Sequence, residues 1–148
     1  MTATKHSAVY ASLGYKDDAG VFLESDTDEQ LLISIPFNQI VKLHSVQIQG
    51  PNDGTAPRVV KLFVNKESMD FGEAEDTKPV QEINLSDADV ESGALVPLKF
   101  VSFQYVRRLV LFVQSNTGGG DITRMSKLSL LGMTVDTTNM NDWGKHKG

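Results

Sequence analysis

Residues 109–113 read Leu-Val-Leu-Phe-Val and are apolar at every position. Side chains of a β-strand alternate between its two faces, so a strand that is apolar at both parities is expected to be covered on both sides. We therefore predict that Arg108–Gln114 forms a central strand and that its middle is the most buried strand of the molecule.

Six further runs rich in Val, Ile, Leu and Phe are separated by turn residues: Leu31–Ile35, Ile40–Gln49, Val59–Asn65, Val80–Leu85, Val96–Val101 and Ser126–Val135. Many short strands joined by short loops are typical of an all-β domain with antiparallel pairing. Helix is limited to two short turns, at Asp70–Asp76 and after the capping residue Ser86. Without a repeat or a long amphipathic segment, the pattern favours a jelly-roll-like antiparallel β-sandwich.

Alternation within the runs predicts which side chains face the core. In Val59–Asn65 the even-numbered side chains Val60, Leu62 and Val64 are assigned to the core and the opposite face is mixed.

In Ile40–Gln49 the apolar residues change from odd to even positions along the run. A β-bulge near Ser45 would bring both sets of apolar side chains to the same face of the strand. His44 is at an even position, as are the apolar residues in the second half of this run. We therefore interpret it as a structural histidine on the core side. All seven phenylalanines are also assigned to the core: Phe22, Phe37, Phe63, Phe71, Phe100, Phe103 and Phe112.

A chain of 148 residues fits one domain with a sizeable core. We predict a loosely attached N-terminal segment at residues 1–20, a β-sandwich domain at 21–135 and a polar C-terminal tail at 136–148.

Composition excludes several classes of function. The absence of cysteine excludes disulfide scaffolds, thiolate metal sites and thiol redox chemistry. No apolar run is long enough for a signal peptide or a membrane span, which predicts a cytosolic or nuclear protein. The net charge of −5 divides into −8 up to residue 100 and +3 beyond it, but the C-terminal cations are scattered and do not form a nucleic-acid-binding stripe.

The residue pattern contains no catalytic constellation, and we predict neither an enzyme nor a bound cofactor or metal. The loop Gly118–Asp121 lacks the lysine and spacing of a phosphate-binding loop and is interpreted as a flexible connection. The acidic run Glu24–Glu29 lacks the glycine and terminal glutamate of an EF-hand. One alternative stays open: a ligand-binding sandwich that holds carbohydrate or calcium in these two end loops.

A series of motifs in order along the chain resembles the PITH domain family. Its first part comprises Phe22–Asp26, Asp28–Ile33, Phe37–Gln39, Val41–Leu43, Gln49–Pro51, Pro57, Val60–Asn65, Met69–Phe71 and Glu73–Glu75. Its second part comprises Phe103, Gln104, Leu109, Phe112–Asn116, Thr123, Arg124, Gly132 and Asn139–Trp143. The resemblance thus runs from about Val21 to Trp143, and so many ordered matches are far more specific than a single motif.

The resemblance implies a jelly-roll-like sandwich similar to galactose-binding-like domains. In the family this module follows a thioredoxin domain and contacts the regulatory particle of the proteasome. The Cys-x-x-Cys pair of a thioredoxin is missing here, so the resemblance implies docking onto the proteasome without redox activity. It leaves open whether a separate thioredoxin acts in trans.

The partner-binding residues that we predict are Tyr105 and the tail residues Asn139, Met140, Asn141, Asp142 and Trp143. Trp143 is the single tryptophan of the chain and closes a polar segment. Tryptophan is enriched at interface hot spots, which favours an anchor for a partner protein. The alternative, weighed equally, is that Trp143 folds back onto the sandwich as a plug.

Overall fold

The computed structural model describes residues 23–25 and 28–135. Its strands are β1 (Leu23–Glu24), β2 (Leu31–Gln49), β3 (Pro57–Val64), β4 (Gln81–Asn84), β5 (Leu95–Pro97), β6 (Val106–Asn116), β7 (Arg124–Met125) and β8 (Lys127–Thr134). Its helices are α1 (Phe71–Asp76), α2 (Asp87–Ser92) and a 3-10 turn at Val101–Phe103. None of the helices in these ranges has the length and apolarity to cross a membrane. The predicted segments 1–20 and 136–148 lie outside the described residues.

Strand β6 occupies the centre of the structure, as its composition predicts. It pairs with β2 on one side and with β3 on the other, both antiparallel. Leu109, Leu111 and Val113 face the main hydrophobic core, whereas Val110 and Phe112 face a smaller cluster on the opposite side. All five side chains are buried, because both faces of the strand are covered.

Strand β2 joins the two layers of the sandwich. Residues 31–36 pair with β6, whereas residues 41–49 pair with β8 and, at residues 45–47, also with β5. The main core contains side chains from both halves, so the two halves cover one interior. The prediction of two separate strands, Leu31–Ile35 and Ile40–Gln49, is wrong: they form one long strand whose register shifts between Pro36 and Val41.

The predicted bulge in β2 is confirmed, but its effect on His44 is not the predicted one. Leu43 is paired with Gly132 and Ser45 with Leu131, so His44 is the extra residue between two consecutive pairs. Leu43 and Ser45 are buried and His44 is exposed, with its Nδ1 2.9 Å from the Ser45 hydroxyl. His44 is therefore a surface residue and not a side chain on the core side.

The second cluster lies beneath α1, on the outer face of the β3–β6 pair. Phe63, Val110 and Phe112 pack there with Ala74 of α1. Helix α1 begins at Asp70, whose carboxylate accepts the Glu73 N–H in a capping box, as the predicted helical turn requires. Phe71 packs edge-on against Phe112, with ring centroids 6.2 Å apart, but stays exposed on its outer side, contrary to the core assignment.

The predicted strand Val96–Val101 is shorter than expected. Strand β5 ends at Pro97, which lacks the N–H that a continuing ladder needs. The chain then turns into the 3-10 helix, and Phe103 is fully buried. Phe100 is 74% exposed, so its assignment to the core is also wrong.

Candidate functional site

Three large side chains are exposed in the stretch between β5 and β6. Phe100, Val101 and Tyr105 are 74%, 83% and 66% exposed, respectively. The turn is held by backbone hydrogen bonds from Ser102 to Lys99 and from Phe103 to Phe100, and by the Gln104 amide, which donates to the Phe100 carbonyl at 2.7 Å. Burial of Phe103 fixes the turn to the core, and its neighbours are left facing solvent.

The backbone at Tyr105 is clamped by the side chain of Asn65. The Asn65 Nδ2 donates to the Tyr105 carbonyl at 2.9 Å, and its Oδ1 accepts the N–H of Arg107 at 2.7 Å. Asn65 has a φ of 59°, a left-handed conformation that asparagine and glycine tolerate best. Asn65, the first residue after β3, thus positions the exposed tyrosine, which sequence alternation alone does not indicate.

This clamp is testable by replacing Asn65. Asn65→Gly keeps the left-handed backbone accessible but removes the side-chain hydrogen bonds of Asn65, and we expect it to lower the free energy of unfolding by about 1–2 kcal/mol. Asn65→Ala should cost more, because alanine loses the same bonds and also disfavours positive φ. Urea denaturation measures both losses. Equal stability of the glycine variant and the original protein would show that the clamp contributes nothing.

A groove of about 590 Å³ lies beside this exposed stretch. Strand β2 contributes Lys42, Leu43 and His44, and strand β8 contributes Leu131, Gly132 and Met133. The last residue of β5 and the chain after it contribute Pro97, Leu98, Phe100 and Gln104. Leu43 and Leu98 are buried and form its floor, while Phe100 and Met133 are exposed at its sides. The groove is therefore mainly apolar and is built from three segments that are distant in the sequence.

Gly132 allows β8 to approach β2 at the groove. A Cβ on Gly132 would overlap the backbone oxygen of Lys42 and lie 3.0 Å from the Leu43 Cα. Glycine is the residue that permits this contact between two backbones. It also interrupts the apolar run of β8, and the last four residues of that strand, 131–134, are exposed.

The end loop Gly118–Asp121 is held by a buried hydrogen-bond network. The Asn116 Nδ2 donates to the carbonyls of Gly120 and Ile122, and its Oδ1 accepts the N–H of Gly119 at 2.6 Å. The Thr123 hydroxyl donates to the Glu29 carbonyl, which ties this loop to the acidic run. Asn116 and Thr123, which carry part of the family resemblance, thus have a structural role here.

Two carboxylates near these loops are paired with one arginine. The Glu24 carboxylate lies 3.4 Å from Arg124, which also lies 3.9 Å from the Asp53 carboxylate. Hydrogen bonds from the Thr55 hydroxyl and N–H lower the pKa of Asp53, with a smaller contribution from Arg124. Across residues 23–25 and 28–135, no three His, Cys, Asp or Glu side chains are grouped to hold a metal ion.

The structure describes one of the predicted partner-binding residues, Tyr105, and places it on the surface. Asn139, Met140, Asn141, Asp142 and Trp143 lie outside the described residues. Sequence reasoning missed Phe100, Val101 and Met133 as exposed apolar side chains. The available signals were Pro97, which ends the preceding strand, and Gly132, which breaks the apolar pattern of β8.

Comparisons with known proteins place the chain among its relatives. It is 39% identical over 125 residues to "Thioredoxin-like protein 1" of Schizosaccharomyces pombe, covering 82% of this chain and 43% of the relative. It is 38% identical over 125 residues to a PITH domain-containing protein of Drosophila melanogaster, covering 84% of this chain and 58% of the relative. The chain thus spans about half the length of the curated relatives that it matches.

A structural comparison identifies the same architecture in a distant protein. The fold is similar to that of CBM32-3 from a family 31 glycoside hydrolase of Clostridium perfringens, with a TM-score of 0.52 and 12% identity. The match covers 91% of this chain and 99% of the other, which confirms the predicted galactose-binding-like β-sandwich. The family profile of the PITH domain matches residues 2–147, and the chain belongs to the PITH domain family.

Proposed function

We propose that this protein is a non-catalytic interaction module of the cytosol or nucleus that docks onto the regulatory particle of the proteasome. The docking face consists of Phe100, Val101 and Tyr105. Residues 139–143, which lie outside the described residues, are proposed to contact the partner as well. The observation that supports the proposal is the exposure of three large apolar or aromatic side chains within six consecutive residues. Isolated apolar residues on a surface need no explanation, but a cluster of them is typical of a protein-interaction site.

The aromatic residues of this face suit a protein partner. Tyrosine and tryptophan bury large apolar surfaces at low entropic cost and keep one hydrogen-bonding group, so they are frequent hot spots. The Tyr105 backbone is already held by Asn65, and the neighbouring turn is held by Phe103. Docking then needs little ordering of this stretch, which favours affinity.

The docking proposal predicts a loss of binding without a loss of stability. Tyr105→Ala and Trp143→Ala are expected to reduce the recovery of proteasome subunits in an affinity pull-down, since hot-spot truncation often costs about 2 kcal/mol or more. Removal of residues 139–148 should have the same effect. Thermal melting should change little for Tyr105→Ala, because an exposed side chain adds few core contacts.

Leu95→Ala is the matched control, because Leu95 is also an exposed apolar residue but does not belong to the docking face. It should leave pull-down unchanged. Undiminished pull-down with the Trp143 variant would reject the tail as an anchor, and a large fall in its melting midpoint would support the plug. If neither the Tyr105 nor the Trp143 variant reduced recovery, the proposed docking face would be wrong.

A further inference from the structure

The groove beside the docking face has features that specify a ligand more closely than the proposed function does. Its floor and sides are apolar, with Leu43, Leu98, Phe100 and Met133 from three different segments. Its volume of about 590 Å³ lies within the range of sites that enclose a small ligand or a few side chains of a peptide. Methionine at one side is flexible and adapts to differently shaped apolar partners.

The one fully charged side chain that lines the groove is a cation, Lys42. None of the lining residues is Asp or Glu, even though the whole chain has a net charge of −5. Lys42 lines the groove itself, and Lys99 lies between the lining residues Leu98 and Phe100. The groove thus combines an apolar interior with a border of positive charge.

We propose that this groove binds a short acidic segment of a partner protein and receives one large apolar side chain of that segment between Phe100 and Met133. The apolar side chain is desolvated by the groove, and carboxylates that flank it interact with Lys42 and Lys99. The inference rests on the proposed docking function for the existence of a protein partner. The chemistry of the ligand follows from the groove and its charge.

A protein segment fits the groove better than a membrane or a nucleic acid does. The apolar residues line a concave site, whereas insertion into a bilayer calls for apolar side chains that project outwards from a surface. Binding of a single-stranded nucleic acid depends on several aromatic platforms and a continuous cationic track, whereas Phe100 is the one Phe, Tyr or Trp among the lining residues and Lys42 the one Lys or Arg. An acidic peptide needs only one apolar anchor and a few carboxylates.

The probe is a fluorescein-labelled peptide of twelve residues, rich in Asp and Glu, with one Phe and one Leu near its centre. Two control peptides replace either Phe and Leu by Ser or the acidic residues by Lys. In fluorescence anisotropy with the whole 148-residue chain, we expect the probe to bind and the two control peptides not to bind. Probe binding should become weaker as the salt concentration increases. Binding of the serine peptide with equal affinity, or no binding of the probe, would overturn the proposal.

Substitutions locate the binding to the groove. Met133→Asp places a negative charge on an exposed side of the groove and should weaken probe binding by about tenfold or more. Lys42→Glu, on an exposed side chain of the same groove, is a second variant in case the first is unstable. Leu95→Asp is the matched control and should bind the probe as the original protein does. Equal binding by all three variants would overturn the groove as the site.

Other occupants of the groove give distinct results, each of which overturns the proposal. A protein in which Met140 and Trp143 are both replaced by serine would bind the probe more tightly if the chain's own tail occupies the groove. Sedimentation would show a dimer lost in Met133→Asp if a second copy occupies it. Displacement of the probe by vesicles containing phosphatidylserine, or by a single-stranded oligonucleotide with higher affinity, would identify the other two classes of ligand.

The experiments distinguish a failure of this inference from a failure of the proposed function. If the probe binds and the substitutions weaken it, the inference holds even when proteasome subunits are absent from the pull-down. If proteasome pull-down succeeds but the probe does not bind, the docking function holds and the inference is wrong.

Discussion

Leu111→Ala is expected to lower the free energy of unfolding by about 2–5 kcal/mol, because the surrounding layers cannot close completely over the lost side chain. Leu111 is fully buried in β6, opposite Ile33 of β2 and Leu62 of β3. Both neighbours are also fully buried, and the cavity would therefore open at the centre of the main core. Urea or guanidinium denaturation followed by circular dichroism measures the loss.

The same substitution at an exposed leucine controls for the chemical change alone. Leu95→Ala removes the same atoms from a side chain that is 53% exposed, so we expect a loss well below that of Leu111→Ala. A loss of less than about 1 kcal/mol for Leu111→Ala would contradict the placement of β6 at the centre of the core.

Gly132→Ala is expected to destabilise the contact between β8 and β2 by about 1–3 kcal/mol or more, since the added methyl group would overlap the Lys42 backbone oxygen. The clash involves backbone on both sides, so no side-chain rotation relieves it. The chain can respond by separating the end of β8 from β2. We therefore also expect faster amide exchange near Val135, whose N–H donates to the Ile40 carbonyl at 2.8 Å.

Gly120→Ala is the matched control for this substitution. A Cβ on Gly120 meets no atom within 4 Å, and its φ is not among the positive values in the described chain. We expect little change in stability at this position. Equal effects of the two substitutions would show that the close approach at Gly132 is not the cause of the loss. Reduced probe binding by Gly132→Ala should accompany the loss of stability, because Gly132 lines the groove.

The sequence determined those features that depend on neighbouring residues. Residues 109–113 are apolar on both faces of the strand, so both faces had to be covered. The main core covers one face and α1 covers the other. The capping residue Ser86 accepts the Asp89 N–H and starts α2 as expected. The change of the apolar residues from odd to even positions along β2 located the bulge to within one residue. Each of these signals lies within a few residues of the feature that it predicts.

Only the tertiary structure decided which surfaces remain exposed and which segments meet. Parity shows that a side chain lies on one face of a strand, but the cover of that face depends on pairing with distant strands. His44 illustrates this point, since the two-residue step from Leu43 to Ser45 opposite Gly132 and Leu131 turns it to the surface. The groove arises in the same way: Leu43, Phe100 and Met133 come together because β2 pairs with both β5 and β8 in the second layer of the sandwich.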